Sequence, residues 1–381
     1  FVPSRGLGDV YKRQGLMNGA AIGRLSDELG SELAIMKGRV DGLEARVNGI
    51  EAGSFSDTTT MGGTAGFLIG ATDSASDAND KVMMEYFYEV DLNTSFTGED
   101  KLNIEIETGN HPGIGVGADK VGLDWGSDNG DTLKVSDVNY TFPLGGWTVA
   151  VGDSMDASKT WPNACAVNNM VDNLGDCGAA NSVDLSGDVS LSASTEFGDG
   201  WELGLGISAD SGETSRGIFT NEGDDYYGIA IGYERDTFGF TAAYSMKEST
   251  TIANSTTGWV QSDNASQKDT TYYGLVGYYS PESTPLTLSG GIELSDIEGT
   301  NTDKTQWTVG VSTDLGEGTL SATFGTNGAI ADNAEEIYAY DLSYEYPIND
   351  SMSVTPFVYV AETTGSTVDT TGAGAFVSFS F

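Results

Sequence analysis

Gly372-Ala-Gly-Ala-Phe-Val-Ser-Phe-Ser-Phe381 ends the chain, and its alternation decides the fold. At a period of two, Ala375, Val377, Phe379 and Phe381 share one face, with Phe376, Ser378 and Ser380 on the other. The run stops on the aromatic, with no polar residue after it. A bare hydrophobic edge strand templates aggregation unless something pairs with it. Closing the sheet into a barrel, with this strand beside the first, removes the edge. A strand of a plain sandwich is the other reading this stretch alone allows.

Composition narrows the choice. The 381 residues include 52 Gly, 8 Pro, 17 Tyr, 15 Phe and 6 Trp, a turn-rich all-β profile long enough for one large barrel or two ordinary domains. No run approaches the roughly 18–20 apolar residues of a spanning helix. Barrel strands carry only a weak alternating signal, so a membrane stays in play. A net charge of −40 argues against nucleic-acid binding, which needs a basic surface. Residues 1–53 hold seven basic and seven acidic residues, so the whole −40 falls on residues 54–381. An acidic surface that serves solubility or high salt is the alternative reading of that charge.

Three segments follow. Residues 1–14 do not fit what comes after and resemble translated adapter sequence, so they are excluded from fold reasoning and the true N-terminus is expected to be missing. Residues 15–53 read as a coiled coil. One seam position holds Ile22, Leu29, Met36, Leu43 and Ile50; the other holds Ser26, Leu33, Val40 and Val47. In this register Glu32, Arg39 and Arg46 are followed five residues later by Lys37, Glu44 and Glu51, and each pair is opposite in sign, as a parallel assembly requires. A single amphipathic helix is the alternative. Gly30, Gly38, Gly42 and Gly49 each cost about 1 kcal/mol of helix propensity against Ala, so partner helices must supply stability. A trimer would match a trimeric barrel.

Residues 54–381 divide into sixteen alternating runs, from 60–70 to 371–381. Short connections such as Gly98-Glu-Asp100, Leu144-Gly145, Gly198-Asp-Gly200 and Asp236-Thr237 alternate strictly with longer loops rich in Asp, Asn, Ser, Thr and Gly. Short turns at one end, long loops at the other and an even strand count are the pattern of an outer-membrane barrel. Phe96, Phe142, Trp147, Phe197, Trp201, Phe238, Tyr346 and Phe381 all fall at the short-turn end on the apolar parity, where a ring girdle would meet headgroups. The fold class is therefore all-β, a 16-stranded antiparallel transmembrane β-barrel preceded by an α-helical coiled-coil segment.

The terminal Phe, with aromatics alternating before it, resembles the last strand of bacterial outer-membrane barrels. The run Asp27-Glu-Leu-Gly-Ser-Glu-Leu-Ala-Ile-Met-Lys-Gly-Arg-Val-Asp-Gly-Leu-Glu-Ala-Arg-Val47, followed by Phe55-Ser-Asp-Thr-Thr-Thr60, is similar to the cyanobacterial iron-uptake porins of the carbohydrate-selective porin superfamily. The specific match covers about residues 24–60. In that family an S-layer-homology domain, which binds the cell wall, precedes the coiled coil. The resemblance implies a pore passing ions or small solutes, a coiled coil on the periplasmic side, and wall contact only through a missing N-terminal domain.

Parity assigns the lumen. With Met84, Tyr86, Tyr88, Val90 and Leu92 toward lipid, Glu85, Glu89 and Asp91 face inward. The same logic places Glu105, Glu107, Glu196, Glu202, Glu234, Glu293, Asp341 and Glu345 inside, against Lys101 and Lys247 alone. A base facing lipid at the midplane would cost about 2–4 kcal/mol, and an acid less. Singly each acid can simply keep the interior wet; collectively they concentrate cations. The longest loop, Ser154 to Gly187, is the third long loop, which in porins commonly folds inward to narrow the channel. It holds Cys165 and Cys177, read as a disulfide in an oxidising compartment, with a metal site the poorer alternative. Closing it removes roughly 3 kcal/mol of unfolded-chain freedom on the entropy account. One histidine, His111, and no Ser/His/Asp set give no catalytic constellation, no metal site and no cofactor. Asp73, Asp77, Asn79 and Asp80, like Asp128, Asn129 and Asp131, could hold surface Ca²⁺ but more often form solvated turns. The expected function is a passive, cation-favouring porin for inorganic ions, with iron as one candidate, in contact with outer-membrane lipid. The alternatives are a carbohydrate-permeable porin and a structural tether to the wall.

Overall fold

The computed structural model describes residues 35–40, 58–74, 81–110, 129–166, 168–210, 212–213, 217–220, 224–248, 269–298 and 303–381. Residues 35–40 are helical and exposed, and carry Lys37 and Arg39. The other coiled-coil pair members, Glu32, Glu44, Arg46 and Glu51, lie outside the described residues, as do Asp77, Asn79, Asp80, His111 and Asp128.

Sixteen strands make one antiparallel sheet closed on itself. They are β1 (Thr59–Asp73), β2 (Met83–Thr94), β3 (Lys101–Gly109), β4 (Lys134–Leu144), β5 (Trp147–Asp153), β6 (Val189–Phe197), β7 (Trp201–Asp210) and β8 (Asp224–Arg235). Then come β9 (Phe238–Lys247), β10 (Thr270–Tyr279), β11 (Leu286–Ile297), β12 (Lys304–Leu315), β13 (Gly318–Thr326), β14 (Tyr338–Asn349), β15 (Met352–Ala361) and β16 (Thr370–Ser380). Each strand pairs with its sequence neighbour. The closing seam is β1 against β16, where Gly66 faces Ser378 and Ile69 faces Ala375. Phe381 and Gly63 exchange backbone hydrogen bonds of 3.1 and 3.0 Å, and the Phe381 ring stacks on Tyr88 at 5.9 Å. The hydrophobic terminal strand is thus paired on both sides. A two-residue bridge, Ile330–Ala331, pairs with the start of β12 and was not visible in the sequence pattern.

Local chemistry sets the short turns. Between β4 and β5 both turn residues, Gly145 and Gly146, have positive φ (60° and 89°), which a two-residue hairpin of primed type demands. Between β2 and β3, Asp100 accepts from the hydroxyls of Tyr140 (2.6 Å), Thr97 (2.8 Å) and Ser95 (2.8 Å) and from the amides of Phe96 and Thr97. The Tyr140 hydroxyl above all holds that carboxyl well below the usual carboxylate range. Outside, Leu275, Ile292, Val309 and Val358 stand exposed on alternate positions, as a lipid-facing surface requires.

Candidate functional site

The inward face of β2, β3 and β4 carries three cross-strand rows. Glu89 stands opposite Glu107, which faces Lys134; Asp91 stands opposite Glu105, which faces Asp137; Asn93 stands opposite Asn103, which faces Asn139. Directly opposed side chains sit about 4.5–5.5 Å apart at Cβ, where like charges destabilise a sheet. The rows contain their own compensation. Lys134 Nζ lies 2.8 Å from Glu107, and Lys159 Nζ, from the third long loop, lies 3.2 Å from Asp137 Oδ2. Asn103 donates to Asp91 at 2.6 Å, Ser136 to Glu105 at 2.7 Å and Asn139 to Asp137 at 2.9 Å. Five carboxylates thus meet two ammonium groups, leaving three net negative charges on this wall.

The opposite side of the interior is occupied by that loop, which leaves β5 after Asp153 and returns at Val189. Its seat is built from missing side chains. Gly204, Gly206 and Gly228 point inward on β7 and β8, and Trp161 lies across them; a methyl at Gly204 would come within 2.6 Å of the indole. Gly291 on β11 receives the Cys177 carbonyl in the same way, at 2.8 Å from where its Cβ would stand. Met170, Val171 and Leu174 pack on Leu68, Phe357, Tyr359 and Ala361. Cys165 and Cys177 stand with Cα atoms 5.7 Å apart and their sulfurs joined.

Two wall carboxylates hold the loop backbone. Glu293 accepts from Asn181 N (3.0 Å), Asn181 Nδ2 (3.0 Å), Ser182 N (2.7 Å) and Ser182 Oγ (2.7 Å). Asp341 accepts from Met170 N (2.7 Å) and Val171 N (3.0 Å), and from the hydroxyl of Thr323 on the neighbouring strand. Glu293 is 2 % exposed and Asp341 4 %, so neither presents a free charge to a passing solute. Lys247 donates to Asn181 Oδ1 at 3.3 Å and lies over the rings of Tyr226 and Tyr272.

The register places all eleven acids named from sequence, with Lys101 and Lys247, on the inner face. They do not form one lining. Glu85, Glu89, Asp91, Glu105 and Glu107 belong to β2 and β3. Glu196, Glu202 and Glu234 line a cavity of about 490 Å³ at the short-turn end, where Tyr278 donates to Glu234 at 2.9 Å. Glu345 lines a second cavity with Ser321, Ser343, Ser353 and Thr355. Glu293 and Asp341 serve the loop. The interior holds more bases than alternation predicts: Lys134, Lys159 and Lys304 also point inward, so Lys101 and Lys247 are not alone there. Strict parity cannot put Lys134 and Asp137 on one face; a bulge at Ser136, opposite Glu105 and Ile106, does so. Lys159 sits on a loop, where alternation carries no information.

An inward-folded third loop inside a closed barrel of sixteen strands, with acids on the inner face beside it, is the architecture of a porin-type barrel. Residues 233–381 match the sequence model of the Gram-negative porin family. An uncharacterized protein of Nostoc sp. is 27% identical over 92% of this chain and 69% of its own length. Among solved structures, a loop-deletion mutant of OmpT, an outer membrane protein of Vibrio cholerae, superposes with a TM-score of 0.58 at 13% identity, covering 85% of this chain and 100% of that one. The anion-selective porin from Comamonas acidovorans gives 0.58 at 12% identity, covering 85% and 99%. A mutant of the Rh. blastica porin gives 0.51 at 15%, covering 85% and 100%. At these identities the solved structures speak for the fold. The family match over residues 233–381 points the same way, to a porin-type barrel.

Proposed function

We propose that the chain forms a passive, cation-favouring channel for inorganic ions and small solutes, iron among the ions it would admit. The observation that carries this is the set of opposed carboxylates on β2–β4, Glu89 with Glu107 and Asp91 with Glu105 and Asp137, only partly offset by Lys134 and Lys159. Such a wall raises the local concentration of cations and repels anions. The test is the reversal potential of reconstituted channels in a KCl gradient. A K⁺ preference that grows on dilution agrees with this reading; Cl⁻ preference overturns it.

The carbohydrate reading is less well supported. A sugar path wants aromatic faces open to the lumen, and the rings of Phe357, Tyr359 and Tyr272 are 3 %, 2 % and 2 % exposed. Loop residues Met170, Val171 and Leu174 pack over the first two. The N-terminal segment fits a periplasmic, parallel coiled coil that joins three barrels, and the heptad pairs support this assignment. Wall contact, the tether reading, would need a domain ahead of this segment.

A further inference from the structure

We propose that Lys159 is a selectivity-setting residue: a cation tethered to the loop that stands where permeating cations would otherwise collect, and so lowers the channel's own preference for them. The inference rests on the cation-favouring reading and extends it. Lys159 Nζ lies 3.2 Å from Asp137 Oδ2, in the row formed by Asp91, Glu105 and Asp137. Asp137 is 8 % exposed, and its second oxygen, Oδ1, meets no hydrogen-bond donor among the described residues. Its Oδ2 already takes the Asn139 amide at 2.9 Å, which fixes the orientation of that amide and leaves Asn139 Oδ1 without a donor as well. The lysine therefore supplies the ammonium in a place rich in oxygen acceptors.

The remaining geometry separates this role from a merely structural one. Glu293 and Asp341 hold the loop with six hydrogen bonds, and the glycine seat and Tyr359 cluster hold it apolarly. The Lys159 side chain is 37 % exposed, so the loop's position does not depend on that ion pair, which contributes little at such exposure. What Lys159 adds is one positive charge beside the passage. A unit charge about 6 Å from a permeating ion, in water at 0.1 M salt, changes the local cation concentration about twofold.

The experiment compares reconstituted wild type, K159Q, K159R and the double variant D137N/K159Q by reversal potential and conductance in KCl. K159Q is expected to raise K⁺ enrichment about twofold at 0.1 M, while K159R keeps the wild-type ratio and the double variant returns toward it. Conductance that rises with the K⁺/Cl⁻ ratio unchanged or lower would mean that Lys159 only positions the loop, and would overturn the proposal. K159R behaving like K159Q would overturn it as well, because the charge would then not be what matters. A wild type without K⁺ preference would fail at the earlier step, in the proposed function itself, and the two failures are told apart by the wild-type measurement alone.

Discussion

Neutralising Glu89, Asp91 and Glu105 together, as Glu89→Gln, Asp91→Asn and Glu105→Gln, should abolish most of the K⁺ preference. The three sit in adjoining rows on β2 and β3, and removing them takes the local sum from three net negative charges to none. At about 6 Å in water, three charges act on a monovalent cation with about 2 kcal/mol. Screening with a Debye length of about 10 Å at 0.1 M leaves about 1.1 kcal/mol, a cation enrichment of about sevenfold. At 1 M, with a length of about 3 Å, the enrichment falls to less than about twofold. Wild type should therefore show a reversal potential that collapses between 0.1 and 1 M KCl, and the triple variant a small one at both. Glu85 is left intact because it stands outside these rows. Undiminished preference in a folded triple variant would refute the assignment of selectivity to these rows and transfer it to the acids of the short-turn cavity, Glu196, Glu202 and Glu234.

Glu293→Ala leaves the buried amides of Asn181 and Ser182 without their acceptor, at a cost of at least about 3 kcal/mol to the loop's seat; trypsin should then cut after Lys159 while the barrel stays intact, and a resistant loop would argue against the anchor. Desolvation by the surrounding protein, then the Asp184 charge, push the Asp156 carboxyl up to about 7, although its side chain is exposed. A raised acid is charged only above that value, so K⁺ preference should fall as pH drops from 8 to 6; a flat wild-type profile, or a fall that persists in Asp156→Asn, would count against it. Mass spectrometry without reductant should recover the Cys165 and Cys177 peptides joined, whereas two free thiols would remove the loop's covalent closure. Changing Arg39 and Arg46 to Glu should reduce cross-linked trimer by setting like charges against Glu44 and Glu51; cross-linking of the unaltered chain that gives monomers alone would end the stalk assignment.

The barrel was legible because two independent periodicities agreed. Strand alternation and the alternation of short with long connections both follow from one physical demand, that every backbone group in hydrocarbon be paired within a closed sheet. Leu275, Ile292 and Val309 stand exposed for that reason, and the aromatic terminal strand found its partner in β1. The site was legible only by face. Parity says that Glu293 and Glu89 both point inward, but it has no means of saying that a loop more than a hundred residues earlier in the chain caps one of them. The bulge at Ser136 defeated parity at Lys134 and Asp137, and Lys159 lay where no periodicity exists. The glycines of the seat carried a faint signal. Gly204, Gly206 and Gly228 fall on the inward parity of β7 and β8, where a wall that faced only water would not require them.

Chemically equivalent carboxylates thus do two different jobs in one barrel, and the donor each one meets decides which. At Glu293 and Asp341 backbone amides reach the oxygens, the carboxylates are consumed in hydrogen bonds, and the negative charge fixes the loop in place. At Glu89, under the proposed function, the inner face opens to the ion path instead, and the charge acts on whatever ion enters. Asp137 stands between the two cases: one oxygen is shared by Asn139 and Lys159, and the other meets no donor among the described residues. A residue so placed couples the loop to the ion path. Its neutralisation, Asp137→Asn, would lower the K⁺ preference by about the twofold that one unit charge contributes, yet leave the loop protected from trypsin, because the anchors at Glu293 and Asp341 remain. Loss of protection in that variant would show instead that the loop's position depends on the ion pair, and the division of labour among these acids would have to be redrawn.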